Sequence, residues 1–134
     1  MEFRLPDFQL VVDIHDIVIA EFGGLKGLPH PEHIEAAIKR PENYMSYSEN
    51  CDIHLVAALI LDSLTRYHAF ADGNKRAALM SMLFTYNLNG IELKFSLLTN
   101  EKFEELVLEV VKNKPSILII QNQLKKLIKE FGKV

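Results

Sequence analysis

The chain has 134 residues, of which 49% are hydrophobic and 25% charged, and its formal net charge at pH 7 is −3. This length is enough for one folded domain, which we predict to span residues 1–134, and the composition excludes a disordered tail or a low-complexity scaffold. The negative charge argues against direct nucleic-acid binding, and the single cysteine, Cys51, excludes an intrachain disulfide or a zinc site built on cysteines.

The first six residues, Met1 to Pro6, lack the basic start and the apolar core of a signal peptide. No apolar run in the sequence reaches the roughly 18 residues that a membrane span needs. A lone cysteine also suits a reducing cytosol. We therefore predict a cytoplasmic protein that does not enter a membrane.

Helical periodicity predicts the first two elements. Apolar residues at helical spacing run from Asp7 to Phe22, and Gly23-Gly24 follows as a stop signal. A second helix is predicted to open at His30-Pro31, because Pro is favoured in a first helical turn, and to end at Pro41. Residues 41–52 are rich in Asn, Ser and Tyr with little periodicity, which predicts a loop or a small hairpin.

Two later segments, Leu55–Tyr67 and Ala77–Leu88, are apolar on nearly every face. Helices of this kind usually lie at the centre of a domain. After them, residues 91–95 alternate between apolar and polar in a short strand-like stretch. Two more helices are predicted, one from Thr99 or Asn100 to about residue 112 and one from Ser116 to about residue 131. The predicted fold class is all-α, with six helices and two of them buried.

The segment between the two central helices is polar and reads H-A-F-A-D-G-N-K-R over residues 68–76. One interpretation is structural only. Asp72-Gly73-Asn74 would be a turn in which Asp72 caps the next helix, and His68 would be a cation at a helix end, where the dipole favours it. The turn residues alone do not distinguish this interpretation from a functional one.

The positive charges of the segment favour a function. Lys75 and Arg76 fall in the first turn of a helix, where each cation costs about 0.3–1 kcal/mol unless an anion is present. Free N–H groups, the close backbone approach that Gly73 allows, and two cations together make a phosphate cradle. With His68 as a general base and Asp72 holding Mg²⁺, the segment has the parts for phosphoryl or nucleotidyl transfer.

Residues 68–76 resemble the signature of the Fic/Doc superfamily, whose AMP-transferring branch typically reads H-x-F-x-[D/E]-G-N-G-R-x-x-R. Lys75 stands where that signature has Gly, and Leu79 stands where it has a second Arg, which is the pattern of the Doc, or death-on-curing, toxin branch. Residues 23–27 and 34–41 resemble the family's G-G-x-x-G and L-x-x-A-x-x-R-P segments, so the resemblance covers roughly residues 10 to 95.

This resemblance implies a compact six-helix bundle with a small β-hairpin flap. It implies transfer of the γ-phosphate of ATP, with Mg²⁺, to a hydroxyl of a protein, reported for the family as a threonine of translation elongation factor Tu, which arrests translation. His68 would be the general base and Asp72 the metal contact. The implied catalytic set is His68, Asp72, Lys75 and Arg76, and the implied phosphate-binding set is Gly73, Asn74, Lys75 and Arg76.

The family's flap holds the backbone of the target protein by strand-like pairing. The resemblance places it in this chain at Asn43, Tyr44, Met45, Ser46 and Tyr47, with a plain surface loop as the alternative. Doc-like toxins are also similar in needing a separate antitoxin, whose C-terminal segment folds into a groove on the toxin. The inhibitory motif [S/T]-x-x-x-E-[G/N] of other Fic proteins is not met around Glu49, because Met45 stands four residues before it.

Two other functions remain open at the level of sequence. Transfer of AMP through the same cradle is one, although Leu79 in place of the second Arg disfavours it. A non-catalytic partner-binding protein with this fold is the other, although the reacting residues are all present. The remaining histidines are His15, His30, His33 and His54. We expect them to be surface or core residues rather than metal ligands, because none forms an HExxH arrangement. The sequence assigns no role to His15.

Overall fold

The computed structural model describes residues 2–134, which fold into six α-helices and one short 3₁₀ turn. The helices are α1 (Phe8–Phe22), α2 (Pro31–Tyr47), α3 (Ile53–Tyr67), α4 (Asn74–Leu88), α5 (Glu101–Asn113) and α6 (Ile117–Phe131), and the 3₁₀ turn spans Phe95–Thr99. The prediction of an all-α fold with six helices is confirmed. None of the helices in residues 2–134 combines the length and the hydrophobicity needed to cross a membrane.

The two central helices are α3 and α4, as predicted from their apolar sequences. All residues of α3 from Leu55 to Thr65 are buried, and α4 is buried from Ala77 to Leu83. α3 packs against α2, α4 and α6, while α1 packs against the far side of α4. Because α3 and α4 are consecutive and antiparallel, the segment that joins them is held at one end of the core.

Side-chain caps fix the starts of several helices. Asp7 accepts a hydrogen bond from the Leu10 N–H at 2.8 Å, and Asp52 accepts one from the Leu55 N–H at the same distance. Such caps contribute about 1 kcal/mol each. α4 has no such cap, because its N-cap is Gly73, and within residues 2–134 α2 and α6 also begin without a side-chain cap. The first N–H groups of α4 therefore remain available to another acceptor.

The second helix is longer than its sequence predicts, and two predictions fail with it. α2 continues through Pro41 to Tyr47, so the predicted end at Pro41 and the predicted β-hairpin flap are both wrong. The flap residues Asn43, Tyr44, Met45, Ser46 and Tyr47 form the last turns of α2. Main-chain groups inside a helix are already paired, so this segment cannot offer a strand-like edge.

Packing on both sides of Pro41 explains why the helix continues. A proline inside a helix removes one hydrogen bond and costs about 3 kcal/mol. Arg40 donates to the buried carboxylate of Asp62 on α3 at 2.6 Å, and Met45 packs against a second apolar cluster that includes Leu55. These contacts hold the chain against α3 before and after the proline ring, which is itself buried.

The predicted strand-like stretch at residues 91–95 forms only an isolated bridge. Glu92 and Lys133 exchange two backbone hydrogen bonds, and the chain enters the 3₁₀ turn at Phe95. Only Glu92 in this stretch pairs with another segment, so the described residues form no sheet here.

Candidate active site

The site begins where α3 ends, at His68. This residue is in the left-handed region (φ 46°, ψ 57°), in which His is one of the less disfavoured side chains. The turn leaves the His68 side chain exposed, and the next two residues, Ala69 and Phe70, return to the core. The conformation therefore separates a histidine facing solvent from the apolar anchor that follows it.

A cleft of about 460 Å³ opens beside this turn. Its floor is the segment joining α3 to α4, and its opposite wall comes from the 3₁₀ turn and α5. The lining residues include all members of the predicted catalytic and phosphate-binding sets: His68, Asp72, Gly73, Asn74, Lys75 and Arg76. The opposite wall adds Leu98, Glu104, Val107 and Leu108, and the predicted flap residues 43–47 are not among the described residues that line the cleft.

The first turn of α4, which has no side-chain cap, lines this cleft. Gly73 has φ 77°, which side chains rarely adopt, and an added Cβ would lie 3.1 Å from Ile19 and 3.5 Å from the His15 ring. The positive φ is therefore the reason for a glycine here, and a Cβ would in addition lie in close contact with Ile19 of α1. The uncapped N–H groups, the helix dipole and the cations Lys75 and Arg76 together form an anion-binding site.

Arg76 is held in place by an aromatic ring. Its guanidinium carbon lies 4.3 Å from the centroid of the Phe22 ring at the end of α1. A cation over an aromatic face at this distance is attracted to it. The contact orients the Arg76 guanidinium while its N–H groups stay available at the edge of the cleft.

The side chain of Asn74 is already used within the loop. Its Oδ1 accepts from the Phe70 N–H at 3.1 Å, and its Nδ2 donates to the Phe70 carbonyl at 2.9 Å. The amide thus closes the turn between Phe70 and α4. Any contact of Asn74 with a phosphate would come from its main-chain N–H, a distinction that the sequence pattern did not give.

Asp72 is an exposed carboxylate that accepts two backbone hydrogen bonds. Its Oδ2 accepts from the Leu25 N–H at 3.1 Å and its Oδ1 from the Gly73 N–H at 2.8 Å. These two bonds hold the pKa of Asp72 below its usual value, so the group is ionised at neutral pH. Each oxygen retains acceptor capacity. One carboxylate together with substrate phosphates is a common way to hold Mg²⁺, so the residues present fit that ion.

The segment after α1, residues 23–30, is hydrogen-bonded to the loop that joins α3 to α4. The Ala71 N–H donates to the Gly27 carbonyl at 3.1 Å, and the His30 N–H donates to the Ala69 carbonyl at 3.2 Å. A Cβ on Gly24 would lie 2.8 Å from the Asp72 Oδ2. Within the G-G-x-x-G pattern, Gly24 is thus the glycine that allows close backbone approach to the Asp72 carboxylate.

His15 on α1 is the residue that sequence reasoning left without a role. It is 3% exposed, its ring stacks on Phe70 at 3.7 Å between centroids, and its Nε2 donates to the Asp72 carbonyl at 2.6 Å. A carbonyl can only accept, so Nε2 carries the proton. His15 therefore braces the turn that carries Asp72, and only its position beside the apolar face of α1 could have indicated this.

Two comparisons with known proteins show what this sequence is similar to. A family model described as the Fic/DOC family matches residues 6–86. The chain is also 37% identical over 83 residues to a protein of Escherichia phage P1 named "Protein kinase doc". That match spans 62% of this chain and 66% of the phage protein, just under two thirds of its length. The region matched by the family model contains the segment from His15 to Arg76.

Proposed function

This chain belongs to the Fic/DOC family, and from that membership we propose that it is a Doc-type toxin that transfers the γ-phosphate of ATP to a hydroxyl of a protein. The relative named as a protein kinase supports the kinase assignment at moderate identity. The observation that carries the proposal is the uncapped first turn of α4, where Lys75 and Arg76 share one cleft with His68 and an ionised Asp72.

Each group has a defined part in this reaction. A target hydroxyl enters beside His68, which accepts its proton as the oxygen forms a bond to the γ-phosphorus. The bond between that phosphorus and the β–γ bridging oxygen breaks, and ADP leaves. The N–H groups of α4, Lys75 and Arg76 stabilise the negative charge on the transferring phosphoryl group. Asp72 would hold Mg²⁺, which supplies further neutralisation of the phosphates.

The lining of the cleft supports transfer of phosphate over transfer of AMP. Leu79 lines the cleft at the position where the AMP-transferring signature has its second arginine. An apolar side chain there cannot bind a phosphate, whereas Lys75, in place of the signature's glycine, adds a cation in the first turn. AMP transfer is the alternative that the labelling experiment below tests.

We propose a protein target and a separate antitoxin as partners. A threonine of translation elongation factor Tu is the target that the family resemblance favours, with arrest of translation in the cytoplasm as the outcome. Contact through Asn43–Tyr47 would then use side chains of α2, such as the exposed Tyr47, rather than strand pairing. For the antitoxin, the half-exposed Leu108 on the wall of the cleft offers an apolar contact.

Labelled ATP tests the transferred group directly. Purified chain and elongation factor Tu are incubated with Mg²⁺ and ATP that carries its label at either the α or the γ position. We expect label on the target only from the γ position. His68→Ala should slow transfer by about 10²–10⁴-fold, the usual contribution of a general base. Label from the α position would contradict the kinase proposal, and equal transfer by His68→Ala would contradict the assigned base.

A further inference from the structure

A second group of metal-binding side chains lies outside the cleft, at the start of α2. It consists of His30, Glu32 and His33, whose ligand atoms all lie within 4.8 Å of one another. The His30 Nδ1 is 3.5 Å from the Glu32 Oε1, and the His33 Nε2 is 3.9 Å from the same oxygen. The group is exposed to half-exposed, so an ion from solution can reach it.

These separations are close to those of a zinc site. Bonds of about 2.0–2.2 Å in a tetrahedral site place neighbouring ligand atoms about 3.3–3.6 Å apart. The two distances to Glu32 already lie near that range. The remaining distance, between the ligand nitrogens of His30 and His33, would have to shorten by about 1.5 Å at most. Rotation of these exposed side chains can supply that change.

The second ring nitrogen of His33 adds an independent observation. Its Nδ1 donates to the Tyr67 carbonyl at the end of α3, which fixes the tautomer and leaves the Nε2 lone pair facing Glu32. Histidines that bind metals usually donate their other N–H to a carbonyl or a carboxylate in this way. The bond also holds the imidazole in position before an ion arrives.

We propose that His30, Glu32 and His33 bind Zn²⁺ or a chemically similar divalent transition-metal ion, with water in the fourth position. Two imidazoles and one carboxylate form a ligand set that suits such ions. The positive end of the α2 dipole opposes a cation, and the negative charge of Glu32 offsets this. The proposal does not depend on the transferred group or on the target of the cleft.

The site is tied to the loop that carries the active-site histidine. The His30 N–H donates to the Ala69 carbonyl, and His33 donates to the Tyr67 carbonyl, so the two contacts lie on either side of His68. An ion that holds His30 and His33 together would restrain both contacts. The expected result is slower hydrogen exchange at the His30 N–H when Zn²⁺ is bound.

Competition with a chromogenic chelator tests the site on the full chain without an affinity tag. Wild type should bind one Zn²⁺, and His30→Gln and Glu32→Gln should each bind at least about tenfold more weakly. Neither side chain is buried, and the thermal unfolding of each metal-free variant checks that it folds. His54→Gln, a change on α3 outside the cluster, should bind like wild type.

Two results would overturn the proposed metal site, and a third would overturn its link to the His68 loop. One is a wild-type affinity no higher than that of the triple variant with glutamine at residues 30, 32 and 33. Another is loss of binding in His68→Gln with retention in His30→Gln, which would assign the ion to the cleft. The third is unchanged exchange at the His30 N–H on binding, which would remove the link to the His68 loop.

Discussion

At the scale of single residues, the arrangement of the site depends on side chains that brace the loop as much as on those that face the cleft. His15 and Asn74 both use their polar atoms on the main chain of residues 70–72. They fix where Asp72 and the first turn of α4 lie. The proposed chemistry therefore depends on contacts that never reach a substrate.

Replacement of His15 by Phe separates the two contacts of this residue. The ring stack on Phe70 is retained, while the hydrogen bond to the Asp72 carbonyl is lost. We expect the free energy of unfolding to fall by about 1 kcal/mol and the rate of phosphate transfer to fall while the fold is kept. Urea unfolding and the labelled-ATP assay measure the two effects.

His15→Ala serves as the comparison, because it also removes the ring and leaves a cavity beside Phe70. It should lose about 2–4 kcal/mol, clearly more than the Phe variant. If His15→Phe transfers phosphate at the wild-type rate, the hydrogen bond to Asp72 does not position the loop.

The sequence indicated the loop residues that line the cleft, but not the opposite wall from α5 or how the loop is held. Residues 68–76 could be identified as a candidate site because two cations at a helix start, in a polar segment between two apolar helices, favour an anion ligand. His15 could not be assigned, since its partner, Asp72, is 57 positions away in the chain. The use of the Asn74 amide within the loop likewise depends on the folded path of Phe70.

At the scale of helices, the number and the approximate starts of all six could be predicted from the sequence. Periodicity and capping residues are local, so they can be seen without tertiary structure. The end of α2 was mispredicted because proline is a local stop signal, whereas Arg40 and Met45 are held by α3. Tertiary packing outweighed the local cost at Pro41.

Two aspartate caps allow a matched test of how helices are fixed. Asp7 caps α1 and does little else, while Asp52 caps α3, accepts from the Gln121 amide of α6 at 3.0 Å, and lies 3.4 Å from the Lys125 ammonium. We expect Asp7→Ala to cost about 1 kcal/mol and Asp52→Ala about 2 kcal/mol. Urea unfolding at pH 7 measures both.

The cost of losing Asp52 should also depend on pH. Burial opposes ionisation of this carboxyl, but hydrogen bonds from the Leu55 N–H and Gln121, together with Lys125, outweigh it and lower the pKa. A carboxyl whose pKa is lower in the folded state stabilises the fold at pH values above its unfolded pKa of about 3.9. This stabilisation is lost as the pH falls below that value. The difference between wild type and Asp52→Ala should shrink below about pH 4. A difference that grows with acid would contradict this assignment.

At the scale of the whole molecule, the fold brings the cations Lys75 and Arg76 to the first turn of α4, in a cleft that also holds the carboxylates of Asp72 and Glu104. α1 supplies Phe22, which orients Arg76. The segment after α1 supplies the Leu25 N–H, which donates to the Asp72 carboxylate. α5 supplies the opposite wall of the cleft. The core of α3 and α4 holds these parts at one end, where the first turn of α4 is free of any capping side chain within residues 2–134.

The central claim, that the first turn of α4 binds the phosphates of ATP, is tested most directly by calorimetric titration with a non-hydrolysable ATP analogue and Mg²⁺. Lys75→Ala and Arg76→Ala each remove a cation from the cleft, and Lys126→Ala removes an exposed cation from α6 as a control. We expect wild type and Lys126→Ala to bind equally and the two cleft variants to bind about tenfold more weakly or worse. Equal binding by all four proteins, or by none, would contradict the account.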